Sequence, residues 1–263
     1  MSDAPHSASI PFFESLCDFM AARRTIRRYT AEDVSDETLN RLLTLASRTQ
    51  TMGGLQLYSV VTTRDAAMKR RLSPLHFGQP MVTEAPVVLT FCADYHRTTA
   101  WCNCRRANPG YDNLLSFLNA ATDALLFCQT FCTLAEAEGL GLCYLGTTLY
   151  NPLGIIEALR LPRLVKPVAT ITLGHPAEVP PTLPARLPLT AIVHAEHYAP
   201  ATPETIDRDY AAKEAMAQNQ AFVRENHKET LAQVFTDVRY TRRDCEAMSR
   251  TMTEALRRQG FLE

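Results

Sequence analysis

A short basic segment near the N-terminus contains a dense cluster of arginine side chains, which are suited to binding anions. Four arginines fall within six residues, interrupted by a threonine and an isoleucine: Arg23, Arg24, Thr25, Ile26, Arg27 and Arg28. The guanidinium group is a planar fork of donors that matches phosphate oxygens. On a helical turn Arg24 and Arg27 would project together, because residues three apart are neighbours there. The segment predicts an anion site, and the simpler alternative is a solvated run of charge.

Two further segments carry polar or glycine residues suited to a ligand. Gln79 stands in Phe77-Gly78-Gln79-Pro80, where its amide offers one donor and one acceptor to a flat ring with a uracil-like edge. A plain turn explains the same residues. Farther along, Gly139 and Gly141 fit the end of a helix. Gly146 has no such explanation, so it is the candidate for close backbone approach to another surface.

Composition excludes several classes of function. The 263 residues include 27 Lys and Arg against 28 Asp and Glu, so no general basic surface exists for nucleic acid. Hydrophobic residues make up 46%, enough for a folded core. The ten glycines form neither G-x-G-x-x-G nor G-x-x-x-x-G-K-[ST], which excludes a glycine-rich phosphate loop.

The sequence also lacks the motifs of a zinc site and of a hydrolase triad. Cys102 and Cys104 are two apart and Cys128 and Cys132 four apart, and no Cys or His pair completes a zinc set. No G-x-S-x-G elbow is present for a hydrolase triad. The N-terminus carries an acid and no basic stretch, unlike a signal peptide. We therefore expect a cytoplasmic protein with free thiols.

The hydrophobic periodicity predicts alternating helices and strands. Helices are expected over 12–20, 36–46, 65–72, 113–138, 155–159, 204–234 and 241–258. Strands or extended segments are expected over 57–63, 86–93, 142–146, 168–174 and 191–194, with a proline-rich wrapping segment over 176–188. We expect an unstructured lead-in over 1–11, one domain over 12–200, and a helical extension over 201–263 packed on that domain or on a partner subunit.

The predicted helix 113–138 is unusually apolar. Between Leu114 and Ala135 its one charge is Asp123, which raises the possibility of a membrane span. Asn119, Thr122 and Gln129 interrupt the apolar run, and no second span exists. The pattern favours a buried central helix, or one shared with a partner subunit.

Together, these residues resemble the FMN-dependent nitroreductase family, most closely its NADPH-using, oxygen-insensitive nitroreductase and flavin reductase branch. The similar motifs are Arg23–Tyr29, Phe77–Gln79 with Phe91–Asp94, Gly139–Gly146 with Asn151-Pro152, Leu161-Pro162 through Pro176, and Ala185–Pro188. Three features depart from the family pattern: Pro184 stands where a Lys is expected, Thr51–Gly54 replaces a Ser-rich stretch, and Trp101–Arg106 has no counterpart.

The resemblance implies an α+β fold, with a mixed, mainly antiparallel sheet wrapped by helices, in an obligate homodimer that binds FMN at its interface. The residues implied to bind the cofactor are Arg23, Arg24, Thr25, Arg27, Gln56, Gln79, Tyr144, Gly146, Thr147 and Arg186. The basic segment would hold the phosphate and ribityl chain, and Arg186 would reach the phosphate. Gln56 and Gln79 would lie near the flavin, and residues 144–147 would contact its ring.

The implied activity is an FMN-dependent NAD(P)H oxidoreductase that reduces nitroaromatics, quinones or other electron-poor acceptors in two hydride-transfer steps. The cofactor carries this chemistry, so no side chain is assigned as general acid or base. NADPH or NADH is the expected co-substrate, and a small-molecule acceptor the expected partner, with no nucleic acid and no membrane. Two alternatives remain: a specialised flavoenzyme acting on one metabolite, suggested by Trp101–Arg106, and a non-catalytic flavin-binding protein, suggested by Pro184.

Overall fold

The computed structural model describes residues 10–263, with side chains from Phe13 onward. The predicted lead-in over 1–11 lies outside the described residues except for its last two positions. Those two positions belong to the first helix, which begins at Ile10 rather than at residue 12.

The chain divides into two compact units. One contains the residues up to Pro180 together with Met248–Glu263, and the other contains Pro181–Ala247. This division differs from the predicted boundary at residue 200. The end of the chain belongs to the first unit because Leu256 and Phe261 are buried in that unit's core, where Phe261 packs against Phe117 with ring centroids 5.5 Å apart.

A four-stranded sheet forms the centre of the first unit. Its strands are β1 (Tyr58–Thr63), β2 (Val87–Asp94), β3 (Gly141–Leu145) and β4 (Val165–Gly174), in the order β1-β2-β4-β3. All three pairings are antiparallel, so the predicted mixed character is wrong for the described residues. Every residue of the central strands β2 and β4 is buried, which explains their continuous apolar runs.

Helices surround this sheet. Those that begin in the first unit are α1 (Ile10–Ala22), α2 (Asp36–Ala46), α3 (Ala66–Leu72), α4 (Met81–Glu84), α5 (His96–Cys104), α6 (Leu114–Ala137) and α7 (Pro152–Leu159). Polar side chains cap several of them, as the sequence predicts. Ser35 accepts a hydrogen bond from Thr38 N at the start of α2, and Asn113 accepts one from Ser116 N at the start of α6.

Helix α6 packs one face on the sheet and exposes the other. Phe127 on its buried face stacks on Tyr58, with ring centroids 4.3 Å apart. The opposite face exposes five leucines: Leu114, Leu115, Leu118, Leu125 and Leu126. By length and composition α6 could cross a membrane, but the core helix of a soluble protein has the same properties. The prediction of a central helix is confirmed for one face only.

The second unit is helical after an irregular start. Its helices are α8 (Pro203–Glu214), α9 (Ala217–Glu225) and α10 (Leu231–Val234), and α11 (Arg242–Arg258) begins in it. The single predicted helix 204–234 is wrong, because Met216 and Thr230 adopt extended backbone and start new helices. The predicted strand 191–194 is also wrong, since a 3-10 turn over Leu189–Ala191 leads into irregular backbone.

Candidate functional site

The basic segment runs along β3 as extended chain. Helix α1 ends at Ala22, so Arg24 and Arg27 do not share a helical turn. Ile26 is buried, and its backbone N–H donates to Leu142 O at 3.0 Å. This approach requires Gly141, because a Cβ there would lie 2.7 Å from the Ile26 side chain. The apolar residue within the arginine run therefore fixes the segment to the edge of the sheet.

The arginines of this segment differ in their partners. Arg23 Nε donates to Glu136 Oε2 at 3.0 Å. Arg24 Nη1 donates to Ala22 O at 2.6 Å, whereas its Nε is buried without a partner. Arg27 is exposed, and its guanidinium partly offsets the burial that raises the pKa of the Cys143 thiol. Arg23 and Arg24 line a cavity of about 200 Å³ beside β3, together with Ile26 and Leu140 among others.

Glu136 is a site residue that sequence reasoning missed. It lies in the last turn of α6 and is half-buried. Burial raises the pKa of Glu136, and the adjacent Arg23 lowers it. Its Oε1 atom is buried without a hydrogen-bond partner. The sequence offered one signal for this residue, which is an acid at the carbonyl end of a helix whose one other charge is Asp123.

Two turns beside β3 bring the second group of predicted residues together. The turns Ser73–His76 and Gly146–Leu149 are joined by a 2.8 Å hydrogen bond between His76 Nδ1 and Thr147 Oγ1. Gln79, three residues beyond His76, is half-buried. Gln79 therefore follows closely, along the chain, a turn that contacts Thr147.

His76 itself was not singled out from the sequence. Its side chain is fully buried, and burial lowers its pKa to about 4. The imidazole is therefore neutral at neutral pH, and its Nε2 has no partner. A buried histidine beside a glycine-containing turn has no distinctive sequence signal, which is why only the structure shows it.

The backbone at Gly146 faces open space. A Cβ at this position would meet no protein atom within 4 Å, and its φ is not in the left-handed region. Neither packing nor backbone conformation therefore requires glycine here. The adjacent Tyr144 exposes 46% of its surface. This surface can be approached closely by a planar ligand, as the sequence predicts for Gly146.

Gln56 lies in a loop held by a buried carboxylate. Asp123 of α6 accepts from Thr51 Oγ1 at 2.5 Å, Met52 N at 2.9 Å and Leu57 N at 3.1 Å. Gln56 adopts a left-handed backbone with φ of 51°, unusual for a residue with a side chain. The Arg97 guanidinium donates to Gln56 O from the other side. Asp123 and Arg97 were not predicted as site residues.

The Gln56 loop and the basic segment lie at opposite edges of the sheet. The loop precedes β1 and the basic segment accompanies β3, so three strand spacings of roughly 5 Å separate them. Along α6, Asp123 and Glu136 are 13 residues apart, which corresponds to about 20 Å. Within one chain the basic segment contacts β3 and the His76 turn contacts Thr147 just beyond β3, whereas Gln56 lies at the opposite edge of the sheet.

The remaining predicted residues lie elsewhere. Arg186 is an exposed residue of the second unit, and its phosphate contact stays a prediction. The unplaced segment Trp101–Arg106 covers the end of α5 and the residues after it, with Trp101 exposed and Cys102 buried. The described residues contain no group of three or more His, Cys, Asp or Glu that could hold a metal ion.

Comparisons with known proteins agree with the motifs. The model of the Nitroreductase family matches residues 20–175. The chain is 37% identical over 178 residues to an FMN reductase [NAD(P)H] of Bacillus subtilis, covering 66% of this chain and 71% of that protein. It is 33% identical over 190 residues to an oxygen-insensitive NADPH nitroreductase of Salmonella typhimurium, covering 72% and 75%.

Solved structures show the same fold. A Bacteroides fragilis protein with 58% identity superposes with a TM-score of 0.92, covering 94% of this chain and 100% of that chain. The B. megaterium protein NfrA2, at 30% identity, superposes with a TM-score of 0.80, covering 94% and 98%. The chain therefore belongs to the nitroreductase family, as its motifs predict.

Proposed function

We propose that this protein is an FMN-dependent NAD(P)H oxidoreductase that reduces small electron-poor acceptors such as nitroaromatics and quinones. The observation that carries this proposal is the β3 edge, where the basic segment, the His76 turn and the open backbone at Gly146 lie along the same strand. The relatives named FMN reductase and NADPH nitroreductase support it. All eight cysteines are free, which favours a reducing compartment such as the cytoplasm.

The residues at this edge fit FMN. The unpartnered Nε of Arg24 is a buried donor that an anionic or hydroxylated group would satisfy. Arg23, Arg24, Thr25 and Arg27 would hold the phosphate and ribityl chain. Gln79 would pair with the polar edge of the ring, while the backbone of residues 144–147 would lie against its face.

In this arrangement the side chains of the protein bind and orient FMN, and none of them is assigned a proton transfer. FMN, when bound, supplies hydride acceptance from NAD(P)H and hydride delivery to the acceptor. A guanidinium of Arg24 or Arg27 at the pyrimidine edge would stabilise negative charge there without reorganisation. The neutral imidazole of His76 holds Thr147, so the turn that faces the ring keeps its position. The donor and the acceptor would stack in turn on the face of the ring that is turned away from Gly146.

We also propose that two copies form an obligate homodimer with shared sites. The exposed leucines of α6 make an apolar surface of the kind that marks a protein interface. The Gln56 loop of the same chain lies three strand spacings of roughly 5 Å from β3, farther than a ring bound at β3 would extend. A second copy would therefore supply Gln56. Light scattering should give the mass of a dimer, and a monomer that retains FMN would contradict the shared site.

The decisive test of the activity is anaerobic mixing of the purified protein with NADPH. We expect a yellow protein with about one FMN per chain, whose visible absorption is lost on mixing and returns when a quinone is added. A colourless protein that cannot be reconstituted with FMN would reject the proposal. Bound FMN that NADPH does not reduce would identify a non-catalytic flavin-binding protein instead.

A specialised flavoenzyme acting on one metabolite is the second candidate. The exposed Trp101 side chain favours it, since the segment Trp101–Arg106 has no family counterpart and offers an aromatic surface beside two arginines. Similar kcat/KM values across generic nitroarenes and quinones would support the broad reductase. High kcat/KM for one compound, lost in Trp101→Ala, would support the specialised enzyme.

Replacing Gly146 with alanine should weaken FMN binding without weakening the fold. The new methyl group meets no protein atom within 4 Å, so the free energy of unfolding of the apoprotein should change by less than ~0.5 kcal/mol. The same methyl would stand between the backbone and the ring, and we expect the Kd for FMN to rise about tenfold. Fluorescence titration with FMN measures this change.

Gly141→Ala is the matched control for that substitution. Its methyl would collide with the buried Ile26 at 2.7 Å, so this variant should lose stability in the apoprotein. If Gly146→Ala instead destabilised the apoprotein and left the Kd for FMN unchanged, the face at Gly146 would not be the flavin surface.

A further inference from the structure

Helix α6 contains only two charged residues, and each holds one of the two segments proposed to bind FMN. Within Leu114–Ala137 these residues are Asp123 and Glu136. Asp123 accepts three hydrogen bonds from the Thr51–Leu57 loop that carries Gln56. Glu136 accepts from Arg23 of the basic segment. The rest of the helix contacts the core or exposes apolar and uncharged polar residues.

Neither charge is explained by the stability of the helix. Asp123 is 2% exposed in the middle of α6, where aspartate has low helix propensity and a buried carboxylate is costly. Glu136 lies in the last turn, where the helix dipole disfavours an anion. Both carboxylates disfavour the helix that contains them, so helix stability does not explain their positions.

The Asp123 contacts determine the conformation of the Gln56 loop. Two of the three donors are backbone N–H groups, of Met52 and Leu57, which lie on either side of Gln56. The third donor, the Thr51 hydroxyl, also accepts a hydrogen bond from Gln56 N at 2.8 Å. These bonds hold Gln56 in its left-handed conformation, which a residue with a side chain keeps only when its surroundings impose it.

Glu136 plays the corresponding part at the other end of α6. Its Oε2 accepts a hydrogen bond from Nε of Arg23, and this bond orients the guanidinium. A side chain with many rotamers is thereby ordered before any ligand binds. Glu136 also lines the cavity beside the basic segment.

We propose that Asp123 and Glu136 are positioning residues that set the spacing between the two FMN-binding segments of each subunit. A helix is rigid over this length, and their 13-residue separation fixes a distance of about 20 Å between the two anchored segments. In a symmetric dimer this distance determines how far the Gln56 loop reaches towards the site of the other copy. The inference rests on the proposed FMN function.

Double-mutant cycles on the holoprotein test this proposal. Asp123→Asn and Glu136→Gln should each raise the Kd for FMN about tenfold, as expected when one hydrogen bond to a charged group is lost. In a Gln56→Ala background Asp123→Asn should have little further effect, and Glu136→Gln should have little further effect in an Arg23→Ala background. For the crossed pairs, which are Asp123 with Arg23 and Glu136 with Gln56, the effects of the two substitutions on the free energy of FMN binding should be additive.

Two further variants separate positioning from general stability. Phe131→Leu alters a buried core residue of the same helix, so it should lower the free energy of unfolding and leave the Kd for FMN unchanged. Thr51→Val removes one of the three bonds to Asp123 while keeping the carboxylate. Thr51→Val should raise the Kd for FMN, as Asp123→Asn should. It therefore tests the proposal even if Asp123→Asn does not fold.

Several outcomes would overturn the inference. Loss of stability in Asp123→Asn and Glu136→Gln with an unchanged Kd for FMN would assign both residues a purely structural role. Equal effects in the presence and absence of Gln56 and Arg23 would show that the acids do not act through these residues. A wild-type protein that binds no FMN would reject the proposed function itself, which is a different result from either of these.

Discussion

Replacing Lys166 with methionine is expected to stabilise the protein by about 3 kcal/mol at pH 7. Lys166 lies on the central strand β4 with no exposed surface. Its ammonium donates to Pro167 O at 3.2 Å and lies 5.1 Å from the centre of the Phe117 ring. Burial lowers the pKa of Lys166 from 10.5 to about 8, which measures the cost of keeping its charge there. Methionine has similar length without charge.

The sign of the pH dependence follows from the same pKa. Between pH 8 and 10.5 the unfolded chain holds a proton on this lysine that the folded chain has released. Raising the pH through this window therefore favours the folded state. Urea unfolding of wild type and Lys166→Met should show a stability difference that is largest below pH 8 and disappears by about pH 10.5.

Lys69→Met is the matched control for Lys166→Met. Lys69 is only partly buried, and Asp33 and Asp65 offset the desolvation that lowers its pKa. It also donates to Ala85 O at 2.8 Å, a bond that methionine cannot make. We expect no gain in stability from this substitution. A Lys166→Met protein less stable than wild type at pH 7 would contradict the prediction, because it would show that the buried ammonium contributes net stability.

Acid should destabilise the protein through His76, by roughly 3 kcal/mol between pH 6.5 and pH 4. The pKa of the buried imidazole falls from 6.5 to about 4 because the charged form is desolvated. Within this window the unfolded chain binds a proton at this histidine and the folded chain does not, so stability is lost as the pH falls. The folded-state imidazole stays neutral in this window and keeps its bond to Thr147, so FMN affinity should be retained until the pH approaches 4.

The measurement is the difference in stability between wild type and His76 variants across that pH range. His76→Asn keeps a group able to bond Thr147, and His76→Phe keeps the volume of the ring. Both variants should lose the part of the acid dependence that belongs to this residue, and they should differ in FMN affinity at pH 7. If the free energy of unfolding had the same pH dependence in wild type and both variants, His76 would not titrate in this range.

Local sequence patterns were sufficient for most elements of the first unit. Strands β1, β2 and β4 lie within three residues of their predicted positions, and helices α2 and α3 begin within one residue of theirs. These features depend on neighbouring residues, whose periodicity and capping chemistry are visible in the sequence. Prediction failed in the second unit, where non-helical backbone at Met216 and Thr230 interrupts a helical pattern.

The residues proposed to face the ligand were named from the sequence, whereas the residues that hold them in the structure were not. Arg23, Gln79 and Gly146 were named as candidates because their residue types match the chemistry of a ligand and because their motifs resemble a family. Glu136 and Asp123 were missed as site residues, since their partners are 113 and 66–72 residues away. His76 is joined to Thr147 across 71 residues in the same way.

The sequence by itself therefore determined the elements, the basic segment on which the cofactor assignment rests and the family of the chain. The tertiary structure decided which edge of the sheet receives the basic segment, that Gln56 lies at the opposite edge, and that one helix anchors both. Contacts over such separations depend on strand order and on how α6 crosses the sheet. Those arrangements are set by packing of the whole core, and no local pattern of residues encodes them.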